Sequence, residues 1–216
     1  IASSKSTSEQ KGVVLANFVA NRAPVYVSIV FAETSGRVTA ASEPGLVGTN
    51  EAEAEWFLEG QGGDPYFSPT VYRDEKVGGP VVSFSWRVEE GGSGRTIGVV
   101  CARVDYGALF TENLVKKEAF GRTGEILVAD RKSGLVLCSK DAAAILKASL
   151  ADHEAWKLAG KSPHGFVVQR DPASRKEYAV GWATEQGFSI FPGQRVLVFV
   201  RQETSEAFRS VTELGL

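Results

Sequence analysis

Between residues 56 and 105 the chain sets Trp56, Phe57, Tyr66, Tyr72 and Trp86 among the acids Asp74 and Asp105. That mixture of ring faces and carboxylates suits an organic cation. A carboxylate accepts charge-assisted N–H bonds, and an aromatic face adds cation–π attraction. A competing reading of the acids is local: Asp74 opens a turn and Asp105 caps a helix beginning at Tyr106. Catalysis finds less support. His153 and His164 are the only histidines, without an H-x-x-x-H or Cys/His spacing for zinc. No G-x-S-x-G, Walker or dinucleotide-binding pattern occurs, and a serine nucleophile would have no paired base. Arg122-Thr123-Gly124 precedes a strand pattern, so no helix dipole favours an anion there. The expectation is therefore no catalytic residue, no metal ligand and no cofactor.

The elements that would position these residues come in a repeated order. Val13, Val14, Ala16, Phe18 and Val19 predict a helix over 10–21, ended by Pro24. The run Val25 to Phe31 is β-branched and aromatic, and Ser35-Gly36 turns it into a second strand over 37–42. A helix over 51–59 follows, with Asn50 as its N-cap. Strand or extended chain covers 66–73, and strands are expected over 81–88 and 96–104, then a helix over 108–119. After Gly121 the order returns: strands over 125–129 and 135–139, a helix over 141–158, strands over 166–169, 178–184 and 196–201, and a helix from Ser205, capped by Thr204 or Ser205. Short turns between adjacent strands imply antiparallel pairing. The two copies share a pattern but little sequence.

Composition sets the outer bounds. The 216 residues are 43% hydrophobic and 23% charged, as in an ordinary globular chain that can bury a good core. Acids and bases nearly cancel, 26 against 24, and no basic stripe appears, so nucleic acid is not an expected partner. Lys116-Lys117 and Arg131-Lys132 read as solvated surface. No apolar run reaches the roughly 18 residues of a membrane span. The chain starts at Ile1 and contains no Met. Both ends read as cut points in a longer protein, with the last helix interrupted at Leu214-Gly215-Leu216. Cys101 and Cys138 each sit in an apolar strand pattern. They read as buried residues, with a disulfide left open.

Five segments in this order resemble the double Cache sensor domains of bacterial chemoreceptors, sensor kinases and diguanylate cyclases. They are Trp56-Phe57 with Tyr66-Phe67-Ser68-Pro69; Gly79 to Ser85; Ile97 to Val100, ending at Val104-Asp105; Gly121 to Val128; and Arg201-Gln202-Glu203 with Ala207-Phe208. The resemblance implies an α+β fold of two PAS-like modules, each an antiparallel sheet flanked by helices, with a long N-terminal helix. Residues 1–24 would form that helix, 25–120 a membrane-distal module and 121–216 a membrane-proximal module. The implied function is extracytoplasmic sensing of a small metabolite in the distal module, on a homodimeric receptor anchored by flanking membrane helices. Such a domain is not an enzyme, although an attached output domain could be one. The alternatives are a secreted or periplasmic binding module without signalling output, and a hydrolase with an unrecognised site.

By the same resemblance, Tyr72-x-Asp74 and Asp105 match the positions that receive a ligand ammonium. Trp56 and Tyr72 would form the aromatic wall, and Phe57, Tyr66 and Trp86 the rest of the lining. Amino-acid-binding members carry an Arg two residues before the Trp to hold the ligand carboxylate. Ala54 stands there, so the expected ligand is amine-bearing rather than a free α-amino acid.

Overall fold

A computed structural model describes residues 7–68, 71–73, 79–91, 93–111, 121–187 and 196–209. The chain divides into two compact units, Ile1–Leu109 and Phe110–Leu216. Helix α1 spans Ser8–Ala20 and starts with a reciprocal cap. Gln10 N–H donates to Thr7 Oγ1, and Thr7 N–H donates to Gln10 Oε1. Its 13 residues take in the helix expected over 10–21 except Asn21, the C-cap; the longer helix implied over 1–24 stops at Ala20, and what lies ahead of Thr7 is outside the described residues.

The first sheet contains β1 (Tyr26–Glu33), β2 (Val38–Ala41), β3 (Tyr66–Phe67), β4 (Tyr72–Arg73), β5 (Pro80–Glu89) and β6 (Thr96–Asp105). Their order is β2-β1-β6-β5-β3, with β4 also on β5, and every pair is antiparallel. Side chains alternate across the sheet. Ile29, Phe31 and Ala40 meet Leu15 of α1 on one face. Val30, Ala32, Val38, Val99 and Cys101 meet Trp56 and Phe57 of α2 (Glu55–Gly60) on the other.

Helix α2 begins later than the sequence predicts. Asn50 Oδ1 accepts from Ala52 N–H, and Glu51 N–H donates to the Gly36 carbonyl. Asn50 thus caps a turn tied to the β1–β2 hairpin rather than the helix. Helix α3 follows β6 over Tyr106–Phe110, and the continuation expected to 119 lies outside the described residues.

The second sheet comprises β7 (Glu125–Asp130), β8 (Val136–Cys138), β9 (His164–Arg170), β10 (Glu177–Thr184) and β11 (Val196–Glu203), in the order β8-β7-β11-β10-β9. With β4 left aside and the strands numbered within each unit, both orders read 2-1-5-4-3. The two units are therefore the α+β, PAS-like modules that the repeated pattern implies. The long helix expected over 141–158 is corrected. Only a 3-10 turn at Ala142–Ala144 and helix α4 at Glu154–Ala159 form. Between them Leu146 takes φ 57° and donates to the Val136 carbonyl, while Val136 N–H donates to Ala148. The segment runs as a partner of β8, because sheet pairing outweighs the helix propensity of its alanines. The core of this unit gathers Leu127, Val136, Leu150, Trp182, Leu197 and Phe199. Both cysteines are buried, and neither forms a disulfide. Burial pushes the Cys101 thiol up to about 12.

Helix α5 (Thr204–Ala207) starts on a strap to the head of β7. The Glu206 carboxylate accepts from Arg122 N–H at 2.8 Å, from Thr123 N–H at 2.7 Å, and from the Thr123 hydroxyl. Gly121 makes this possible with φ 66°, a conformation that favours glycine. The segment at 121–124 does hold an anion, the protein's own carboxylate, and it does so with loop amides rather than a helix end. Those bonds hold the Glu206 carboxyl down to about 2. A depressed carboxyl stabilises the fold above its unfolded value and loses that contribution as pH falls through the folded one. Glu206→Gln should therefore unfold more readily than wild type at pH 7, with the gap closing as pH drops from about 4.5 toward 2. Thermal midpoints of both proteins across that range check it. A gap independent of pH would refute it.

Candidate functional site

A cleft of about 330 Å³ opens in the first unit, on the sheet face that α2 covers. Trp56 and Tyr66 form one wall, with Glu51, Ala54 and Glu55 around the start of α2. Ser83 and Arg103 form the floor on β5 and β6, and Ser68 and Tyr72 border it. The lining thus mixes rings, hydroxyls, two carboxylates and one guanidinium, the composition expected of a small-molecule site.

Helix α2 holds its wall by close approach. Ser85 Oγ donates to the Trp56 carbonyl at 2.6 Å. Gly60 lies against Val99 and Ser85, where an added Cβ would fall 2.6 Å from Val99 Cγ1 and 2.8 Å from Ser85 Oγ. Trp56 and Phe57 meet edge to face at 5.8 Å, so the Trp ring is braced from behind. The Tyr66 hydroxyl is buried beside the Glu55 carboxylate and Ser68, neither at full hydrogen-bond geometry. Burial, and then the Glu55 carboxylate, push its pKa well above the usual tyrosine value, so it stays a neutral donor.

The structure brings together some of the residues named from sequence and leaves others apart. Trp56, Tyr66 and Tyr72 line the cleft. Phe57 is buried behind them in the core, 2% exposed. Trp86 points to the other face of the sheet, because it alternates with Ser83 and Ser85, and it is 40% exposed. Asp105 lies on the cleft face of β6, one alternation beyond Arg103, but is not among the lining residues. Its Oδ1 accepts from Ala108 N–H at 2.9 Å, as a cap of α3 does. Asp74 lies outside the described residues.

Arg103 is what the sequence reading missed. Ala54 offers a ligand carboxylate no cation, but Arg103 places one in the cleft from the sheet floor. Its signal was its parity with Cys101 in β6, which assigns it to the face that α2 covers.

The corresponding face of the second unit holds a cavity of about 10 Å³, room for about one water, bordered by His153, Gln169 and Arg201. Gln169 Oε1 accepts from Ala155 N–H at 2.7 Å, and its amide contacts His153 Nδ1 at 3.2 Å. Burial lowers the His153 pKa, against an opposing pull from Asp171. No cluster of three or more metal-ligating side chains occurs among the described residues, and no described helix is long and apolar enough to cross a membrane.

No protein-family model matches the sequence, and no curated protein matches it by sequence. Solved structures do match in fold. The extracellular domain of a candidate histidine kinase, rpHK1S-Z16, superposes with TM-score 0.68 at 18% identity, over 95% of this chain and 81% of that one. The ligand-binding domain of the Pseudomonas aeruginosa PAO1 amino acid chemoreceptor PctB, in complex with L-Gln, gives 0.62 at 15% identity, over 99% and 84%. That of the Campylobacter jejuni chemoreceptor Tlp3, in complex with 4-methylisoleucine, gives 0.63 at 15% identity, over 90% and 71%. At these identities the likeness establishes the fold.

Proposed function

We propose that this chain, which has the fold of extracellular receptor and kinase sensor domains, is the ligand-sensing extracytoplasmic part of a membrane receptor. Its ligand is a small amine-bearing metabolite held in the cleft of the first unit. The observation that carries this reading is the cleft itself, about 330 Å³ and lined with rings, hydroxyls, two carboxylates and one guanidinium. A concave site that mixes apolar walls with a few polar groups is where small molecules bind. The solved relatives in complex with L-Gln and 4-methylisoleucine support the same class of ligand.

Trp56 and Tyr72 offer ring faces to the ammonium, and Glu51 and Glu55 offer carboxylates from the same side of the cleft. Asp74 and Asp105 remain further candidates for that role. The first unit would then be the membrane-distal module, on a homodimeric receptor whose membrane helices flank this chain. The protein itself performs no catalysis in this reading.

A thermal-shift screen with amine-bearing metabolites, followed by calorimetry on the hits, tests the proposal. Binding raises the unfolding midpoint by mass action. Trp56→Ala should weaken the hit by roughly 5- to 30-fold, in line with about 1–2 kcal/mol for a desolvated cation–π face. Binding that survives Trp56→Ala unchanged would place the ligand elsewhere.

A further inference from the structure

The two units carry the same central strand. In β6 the residues facing the helix side run Val99, Cys101, Arg103, Asp105; in β11 they run Leu197, Phe199, Arg201, Glu203. Each strand is third in the same five-strand order, and each passes directly into a short helix, α3 or α5. Arg103 and Arg201 therefore occupy corresponding places.

Their surroundings differ in one respect. Arg201 stands opposite Glu125 in register and binds it through Nε at 2.9 Å and Nη2 at 2.8 Å. Its Nη1 reaches Asp171 at 3.0 Å. Arg103 stands between Ser28 and Ser83, both buried, and makes no hydrogen bond or ion pair among the described residues. Where the second unit places Glu125, the first has Ser28; Ser83 takes the place of Val180, and beside Arg103 the cleft is open. A half-buried guanidinium favours a carboxylate that meets its planar fork with two N–H bonds.

Resting on the sensor reading above, we infer that Arg103 is the anchor for a carboxylate of the ligand. The bound molecule takes the place beside Arg103 that Glu125 and Asp171 take beside Arg201. The ligand is then an organic carboxylate that also bears the amine. Glu51 and Glu55 sit in the same cleft and disfavour a second acidic group on it.

The test compares amino acids with their decarboxylated amines and their deaminated acids, by calorimetry on this chain. Wild type should bind a compound with both groups at least about 30-fold more tightly than the amine lacking the carboxylate. That ratio is the low end for losing one partner of a buried charge pair. Arg103→Met should erase the preference, and Arg103→Lys should keep part of it. Arg103→Gln serves if the Met variant fails to fold, with circular dichroism confirming each variant. A preference that persists in folded Arg103→Met or Arg103→Gln, or wild type that binds the bare amine equally well, overturns the anchor and leaves the sensor reading standing. No binding by any compound of the panel overturns both.

Discussion

Arg201→Met should lower the unfolding midpoint of the second unit by roughly 6–20 °C. The side chains of Arg201, Glu125 and Asp171 are 22%, 14% and 10% exposed, and the guanidinium lies 4.8 Å above the Tyr178 ring. Removing the cation leaves two carboxylates facing each other with little water. Breaking a buried pair in this way costs about 3–5 kcal/mol, and a chain of this size loses about 2–4 °C for each kcal/mol.

Asp171 shows how strongly the site is tuned. Burial pushes its carboxyl up, but hydrogen bonds from Ser174 and the charge of Arg201 outweigh that and hold it below its usual range. Stability from a depressed carboxyl is present at neutral pH and fades as pH falls, so the deficit of Arg201→Met should shrink in acid. The triple change Glu125→Leu, Asp171→Leu, Arg201→Met should recover most of the loss, because no charge is left unmatched. Differential scanning calorimetry of the three proteins decides the matter. A single variant within about 2 °C of wild type would mean that the network adds almost nothing to stability.

Gly60→Ala carries the second large effect, in the first unit. A single methyl would meet Val99 Cγ1 at 2.6 Å and Ser85 Oγ at 2.8 Å, closer than real side chains approach. Overpacking of this kind costs about 1–3 kcal/mol. The only relief is for α2 to move away from β5 and β6, and that helix carries Trp56. Ligand affinity should therefore fall about 10-fold or more, since misplacing a binding wall by an ångström degrades a preorganised site. Gly45→Ala is the control, because nothing lies within 4 Å of the added methyl. Calorimetry on the folded variants checks both. Unchanged affinity in Gly60→Ala would show that the wall does not depend on this contact.

Strand periodicity made most of the fold legible. The run over 25–31 and the strand pairs over 81–104 and 178–201 show β-branched alternation, and each forms within a few residues of its expected bounds. The failures were helical. Residues 141–158 are rich in alanine, and alanine favours a helix only where nothing competes. Here the edge of β8 offers hydrogen bonds to residues 146–148, and those bonds prevail. The start of α2 was misread for a related reason, since Asn50 caps a turn as readily as a helix.

The site was less legible than the fold. Aromatic composition pointed to the unit that holds the 330 Å³ cleft, but composition does not reveal which face of a strand a residue occupies. Trp86 and Ser83 are three positions apart on β5 and so lie on opposite faces. Parity along a strand distinguishes them once the strand's bounds are known. Arg103 became visible only in that way, and its contrast with Arg201 only once the two sheets were known to share an order.

The Tyr66 hydroxyl, held as a neutral donor beside Glu55, has a consequence for discrimination among similar molecules. A ligand that reaches it with an oxygen or nitrogen acceptor gains one hydrogen bond, a modest reward. One that brings only a methyl there offers nothing to a neutral donor whose proton burial and Glu55 keep in place. Sites built around such groups reject an isostere lacking the matching polar atom far more strongly than they reject a change of one methylene. Selectivity at this wall would then be expressed as refusal. A hydrocarbon analogue of the right shape should be turned away, even though Trp56 and Tyr72 would welcome its bulk.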